Sequence, residues 1–95
     1  MIVRFRIWVD GPNLIEDSML ALDLGDDAAF EALAHMAEAH GEICGKADQA
    51  GLTYLVDVEF EDGEHVRWGT DVNGMVLPVG VGILELTDAI TRRWG

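Results

Sequence analysis

Three side chains able to bind a metal or act as a nucleophile, His35, His40 and Cys44, fall within ten positions of one another. Glu31, His35 and Glu38 share one face of the helix this segment predicts. A metal site needs three or four ligands converging on one point. Five helical residues leave His35 and His40 about 140° apart around the axis, so they diverge. Cys44 follows Gly41, in a stretch that reads as a loop. A solvated acidic helix face with incidental histidines accounts for these residues, and no metal or other cofactor is expected. As a nucleophile, Cys44 would need a nearby base and positive surroundings to lower its pKa. His40 and Lys46 are close, but so is Glu42, in a negative field; a partly buried thiol is the expectation.

The remaining candidates have structural explanations. Asp26-Asp27, Glu16-Asp17 and Glu61-Asp62 are adjacent carboxylates, and acid–base work needs one such group in an apolar pocket and one in water. These pairs sit in turns and at a helix start, where capping and solvation suffice. Gly80-Val81-Gly82 precedes a helix, as phosphate-binding loops do, but lacks the third glycine or the Gly-Lys-Ser/Thr of those loops. Glu85 in the first turn would repel a phosphate. The expectation is a non-enzymatic protein, and a deep cavity lined by His or Cys is what a ligand-binding or enzymatic reading would require.

Charge is the strongest compositional signal. Eighteen Asp and Glu oppose six Lys and Arg, for a net charge of -12. Arg4, Arg6, Arg92 and Arg93 lie at the two ends; between residues 7 and 91 only Lys46 and Arg67 are cationic. Such a field repels nucleic acid and anionic lipid and attracts basic surfaces, and it also serves solubility alone. The 95 residues make one domain, 1–95, with enough apolar content for a core. The single cysteine precludes an intrachain disulfide and points to a reducing cytoplasm. The N-terminus alternates as a strand rather than a signal peptide, and no apolar run reaches the roughly 20 residues that span a bilayer.

The elements that must position these side chains follow from periodicity. Val3, Phe5, Ile7 and Val9 alternate with Ile2, Arg4, Arg6 and Trp8, a half-buried strand over 1–9. Asp10-Gly11-Pro12-Asn13 turns the chain. Residues 18–24 read as a second strand, with a short helix from Pro12 as the alternative over 14–24. A helix opens at Gly25-Asp26-Asp27, buries Phe30, Leu33, Met36 and Ala37, and stops at Gly41, leaving 41–51 as a loop. Tyr54, Val56, Val58 and Phe60 alternate with Leu55, Asp57, Glu59 and Glu61. A three-residue turn, Glu61-Asp62-Gly63 with Gly63 left-handed, keeps the apolar faces together. It pairs Val58 with Val66, Val56 with Trp68, Asp57 with Arg67 and Glu59 with His65. A further strand over 75–79 and a helix carrying Ile83, Leu86, Ile90 and Trp94 complete the chain.

The predicted class is α+β: an antiparallel sheet of about five strands with two helices on one face, in the order β-β-α-β-β-β-α. From residue 26 on, helix–three strands–helix resembles the element order of double-stranded-RNA-binding domains. Their function rests on a lysine-rich start to the last helix, where this chain has Ile83-Leu84-Glu85; the resemblance is one of order and implies no nucleic-acid binding.

On the uncovered face, the acidic stripe Asp57, Glu59, Glu61 complements the basic stripe Arg4, Arg6 if their strands are neighbours. Trp8 falls on that face and Trp94 near the C-terminus, and aromatic and Arg residues concentrate at interface hot spots. The interface candidates are therefore Arg4, Arg6, Trp8, Asp57, Glu59, Glu61 and Trp94. The expected function is a small protein-interaction or assembly module, engaging a protein partner or a second copy of itself. The alternative is an acidic nucleic-acid mimic that blocks a basic protein surface through Asp57, Glu59, Glu61, Asp62 and Glu64.

Overall fold

The computed structural model describes residues 1–22, 27–70 and 79–94. Two β-hairpins, each followed by a helix, make up the fold: β1 (Ile2–Val9), β2 (Asn13–Ala21), α1 (Asp27–Gln49), β3 (Tyr54–Phe60), β4 (His65–Gly69) and α2 (Val79–Trp94). The strands form one antiparallel sheet in the order β2-β1-β3-β4. The α+β class and the antiparallel sheet agree with the sequence. The strand count does not: the sheet has four strands rather than about five, and the order is β-β-α-β-β-α. The strand expected over 75–79 falls largely on 71–78, outside the described residues, and Val79 begins α2. Where a double-stranded-RNA-binding order would put three strands between the helices, two are described.

The core lies on one face of the sheet. Val3, Phe5 and Ile7 from β1, Val56, Val58 and Phe60 from β3, and Val66 and Trp68 from β4 are all buried beneath the helices. The period-2 pattern dictates this, because slipping either hairpin by one residue would turn those side chains out to solvent. The β3–β4 register is the expected one: Val56↔Trp68, Asp57↔Arg67, Val58↔Val66 and Glu59↔His65. Gly63 has φ 89°, and the Gly63 N–H donates to the Phe60 carbonyl at 3.0 Å. The turn is therefore the left-handed glycine turn that keeps two apolar faces in phase.

Two elements differ from their expected bounds. β2 begins at Asn13, not near 18, and Ile15 is the reason. The β1–β2 register jumps from Ile7↔Glu16 to Trp8↔Leu14, so Ile15 is the extra residue of a bulge. The bulge breaks the alternation and hides the first half of the strand. Likewise α1 continues through Gly41 and Gly45 to Gln49, so residues 41–49 are helix rather than loop. The buried stripe Ala32, Met36, Ala39, Cys44, Ala47 keeps helical spacing across both glycines. The stop is at Gly51, φ 72°. There Leu52 N–H donates to the Ala47 carbonyl at 2.8 Å and Gly51 N–H to the Asp48 carbonyl at 3.1 Å, the paired bonds of a Schellman end.

The segment Gly80-Val81-Gly82 is not a loop ahead of the last helix but part of α2. Gly82 lies directly on Trp68: a Cβ there would overlap Trp68 Cβ and Cγ and come within 2.9 Å of Cδ2. Its bare backbone is what lets α2 settle on β4. At the other end of α2, Arg93 stacks 4.0 Å over the Phe60 ring and bonds Asp62 and Glu64, tying the helix to the β3–β4 turn. No helix among the described residues is long and apolar enough to cross a membrane.

Candidate functional site on the uncovered sheet face

The even-numbered residues of β1 and their cross-strand partners point away from the helices. β1 pairs with β3 so that Arg4 faces Glu59 and Arg6 faces Asp57; on the other side Arg4 pairs with Met19 and Arg6 with Asp17. β4 adds His65 and Arg67 beside Glu59 and Asp57. The sequence-predicted basic and acidic stripes are thus adjacent within one chain.

Asp57 is the centre of this face. Its side chain is only 1% exposed although no helix covers it. Arg6 Nη2 donates to Asp57 Oδ2 at 2.7 Å; Arg67 Nε donates to Oδ1 at 3.0 Å, and His65 Nδ1 lies 2.9 Å from the same oxygen. Burial alone would raise the Asp57 pKa, but hydrogen bonds from His65, Arg6 and Arg67 outweigh it and hold the carboxyl below its ordinary value. Around this centre, Arg6 also reaches Glu59 at 3.5 Å and stacks over Trp8, 5.0 Å from the ring centroid. Arg4 holds Asp17 with two bonds, at 2.9 and 2.8 Å; the Arg4 hydrogen bond lowers the Asp17 pKa. Glu61 accepts from the Ile2 backbone N–H at 2.6 Å.

Of the interface candidates, Arg4, Arg6, Trp8, Asp57 and Glu59 therefore assemble on one face, with Glu61 at its rim. Trp94 is the last residue of α2, and its side chain lies outside the described residues. Asp57, Glu59 and His65 also bring potential ligand atoms within 4.8 Å of one another. Two guanidiniums already hold Asp57, so these three residues belong to an ion network in which Arg6 and Arg67 offset Asp57 and Glu59. The carboxylates considered for nucleic-acid mimicry are engaged in the same way. Asp62 and Glu64 bind Arg93, Glu64 also binds Arg92, and Asp57 is buried.

The helix residues do not converge. His35 is exposed, near Ser18 and 3.9 Å from Glu16. His40 faces inward, with ring centroids 6.1 Å from Tyr54 and 6.0 Å from Trp68. Cys44 is buried within α1, and burial pushes its thiol up to about 11, so it stays protonated and unreactive at neutral pH.

Two features escaped the sequence. β2 carries exposed apolar side chains on both sides of the sheet's outer edge: Leu14, Ile15 and Met19. An apolar cleft also opens between the helices. The bulge masked the first, and only tertiary packing creates the second. No family model, curated protein or solved structure matches the chain.

Proposed function

We propose that the chain is a small, acidic, non-enzymatic interaction module that assembles with a second copy of itself through the outer edge of β2. The observation that carries this reading is where exposed apolar side chains collect. Of six large exposed hydrophobics among the described residues, Leu14, Ile15 and Met19 lie on this one strand, and Met19 is 67% exposed. β2 is an edge strand of nine residues, about 30 Å of backbone with hydrogen-bonding groups turned outward. It contains no Lys or Pro, and of the charged residues that can blunt such edges it carries Glu16 and Asp17, the second of them held by Arg4. Its bulge interrupts only the first part; residues 16–21 keep regular pairing with β1.

Electrostatics favours the same place. Two copies at -12 each repel strongly, so contact is least opposed where charge is balanced. The open face beside β2 comes near that balance: Asp17, Asp57, Glu59 and Glu61 stand against Arg4, Arg6 and Arg67, one negative charge in excess. Arg4, Arg6 and Trp8 form the polar and aromatic flank of the proposed interface. The buried, unpaired Cys44 is compatible with the reducing cytoplasm expected for the chain.

The test is sedimentation velocity and light scattering over a concentration series, for the wild type and for Ile15→Lys with Met19→Lys. Wild type is expected at twice the 10.4 kDa chain mass, the more readily as salt screens the repulsion between two acidic copies. The double variant is expected as a folded monomer, its urea stability matching the wild type's at concentrations too low for the wild type to dimerise, since both side chains are exposed. A wild type that stays monomeric at the highest concentration refutes self-association. A basic partner lost as salt rises would instead support the acidic-mimic alternative.

A further inference from the structure

The hydrogen bonds that β2 already makes restrict how a second β2 can pair with it. Leu22 N–H donates to the Met1 carbonyl at 2.6 Å, and Val3↔Leu20, Phe5↔Ser18 and Ile7↔Glu16 continue the same ladder. Mutually bonded pairs alternate with unbonded ones in an antiparallel ladder, so residues 16, 18 and 20 turn their N–H and C=O groups toward β1. Asp17, Met19 and Ala21 turn theirs outward. The side chains of these three lie on the uncovered face, opposite Arg6, Arg4 and Ile2.

Charge and strand length then select one register for two antiparallel copies. A twofold axis through Asp17 opposes two carboxylates, which destabilises a cross-strand pair. An axis through Ser18 sets Glu16 against Leu20 of the second copy and Asp17 against its Met19. An axis beyond Met19 leaves outward groups unpaired, because β2 ends at Ala21. An axis through Met19 engages Asp17, Met19 and Ala21 of both strands and stops short of the bulge at Ile15. It places Asp17 opposite the small Ala21, still held by Arg4 at 2.9 and 2.8 Å. The two Met19 residues meet at the centre, with Cα atoms about 5.5 Å apart. Ile2, 46% exposed, flanks Ala21 on each side.

Building on self-association through β2, we propose that Met19 is a modification site: oxidation of its thioether by a peroxide releases the paired strands. Met19 is 67% exposed in the single chain, whereas Met36 is 4% exposed in the core. The peroxide O–O bond breaks, one oxygen bonds to Sδ as the sulfoxide, and the other leaves as water. The reaction turns a flexible apolar side chain into a polar one. At the twofold centre two such dipoles face each other in a contact that excludes water, each with its hydration lost. A thiol-dependent methionine sulfoxide reductase restores the thioether: the oxygen leaves as water and two thiols become a disulfide.

The experiment is sedimentation velocity on the full chain before and after hydrogen peroxide, with peptide mass spectrometry to locate the added oxygen. Met19 should gain one oxygen well before Met36, and the dimer Kd should rise at least about tenfold. Met19→Leu should dimerise as wild type does and stay dimeric in peroxide. Under a mild disulfide-forming oxidant, Met19→Cys should cross-link two chains and Asp17→Cys should not. The proposal is overturned if the dimer persists with Met19 as sulfoxide, if Met19→Leu dissociates in peroxide, or if Asp17→Cys cross-links in place of Met19→Cys. Each of those results leaves self-association standing; a wild type that is monomeric before any peroxide refutes self-association and this site with it.

Discussion

Replacing Asp57 with Asn keeps the shape of the side chain and removes its charge, which isolates the network on the uncovered face. Asp57 receives two guanidiniums and an imidazole at 2.7, 3.0 and 2.9 Å. The amide oxygen of Asn can still accept from Arg67 and His65, but its amino group then confronts Arg6. Breaking a buried ion pair costs about 3–5 kcal/mol, and a hydrogen bond to a charged group is worth about 1.5–3 kcal/mol. Two features reduce that loss. Arg6 has Glu59 at 3.5 Å as a second partner, and Arg67, half exposed, can turn to water. A net loss of about 2–3 kcal/mol at neutral pH remains.

The pH dependence separates charge from shape. The Asp57 pKa is lowered in the folded state, so its contribution is fully present above the unfolded value, about 3.9. It is lost as pH falls through the folded pKa, where protonated Asp comes to resemble Asn. Urea unfolding of wild type and Asp57→Asn, followed by Trp fluorescence, should therefore differ by about 2–3 kcal/mol at neutral pH and converge in strong acid. A variant within about 0.5 kcal/mol of wild type at neutral pH, or a gap that does not narrow in acid, would refute the view that a buried charge holds this face together.

The glycines give predictions of opposite sign. Gly41→Ala and Gly45→Ala, where an added Cβ meets nothing within 4 Å, should each stabilise the helix by roughly 0.5–1 kcal/mol in urea titrations. Gly82→Ala should destabilise by about 1–3 kcal/mol despite its better helix propensity, because the methyl group collides with Trp68. Cys44, buried with its thiol pKa pushed to about 11, should react with a thiol reagent at neutral pH only as fast as the helix opens, so destabilising Gly82→Ala should speed labelling and Gly45→Ala should slow it.

What the sequence made legible was whatever a single local rule decided. The β3–β4 register follows because only a three-residue turn keeps Val56 and Val58 on the face of Trp68 and Val66. The Arg4/Arg6 and Asp57/Glu59 stripes follow from alternation, although their adjacency required the β1–β3 pairing to be known. The length of α1 was not legible, because Gly41, Gly45 and Gly51 look alike in sequence and differ in their surroundings. The first two are regular helical residues, and only Gly51 has positive φ and the carbonyl partners that end a helix. The cleft was illegible for a similar reason, since His40 and Trp68 become neighbours only once α1 crosses the sheet.

The distribution of cations ties these observations together. Every Lys and Arg of the chain lies within 4.0 Å of a carboxylate, Arg6 and Arg67 sharing one. Arg4 holds Asp17, Arg6 and Arg67 hold Asp57, Lys46 meets Glu42, Arg92 bonds Glu64, and Arg93 bonds Asp62. The arginines are thus committed to closing the sheet face and fastening α2 to the β3–β4 turn, while Lys46 makes only an exposed pair within α1. The carboxylate excess keeps the remaining surface hydrated and disfavours random association. Among the described residues, exposed apolar side chains gather instead on β2, the outer strand of the sheet, which is where self-association is proposed. The long, extended geometry of that strand is what pairing with a second copy would use.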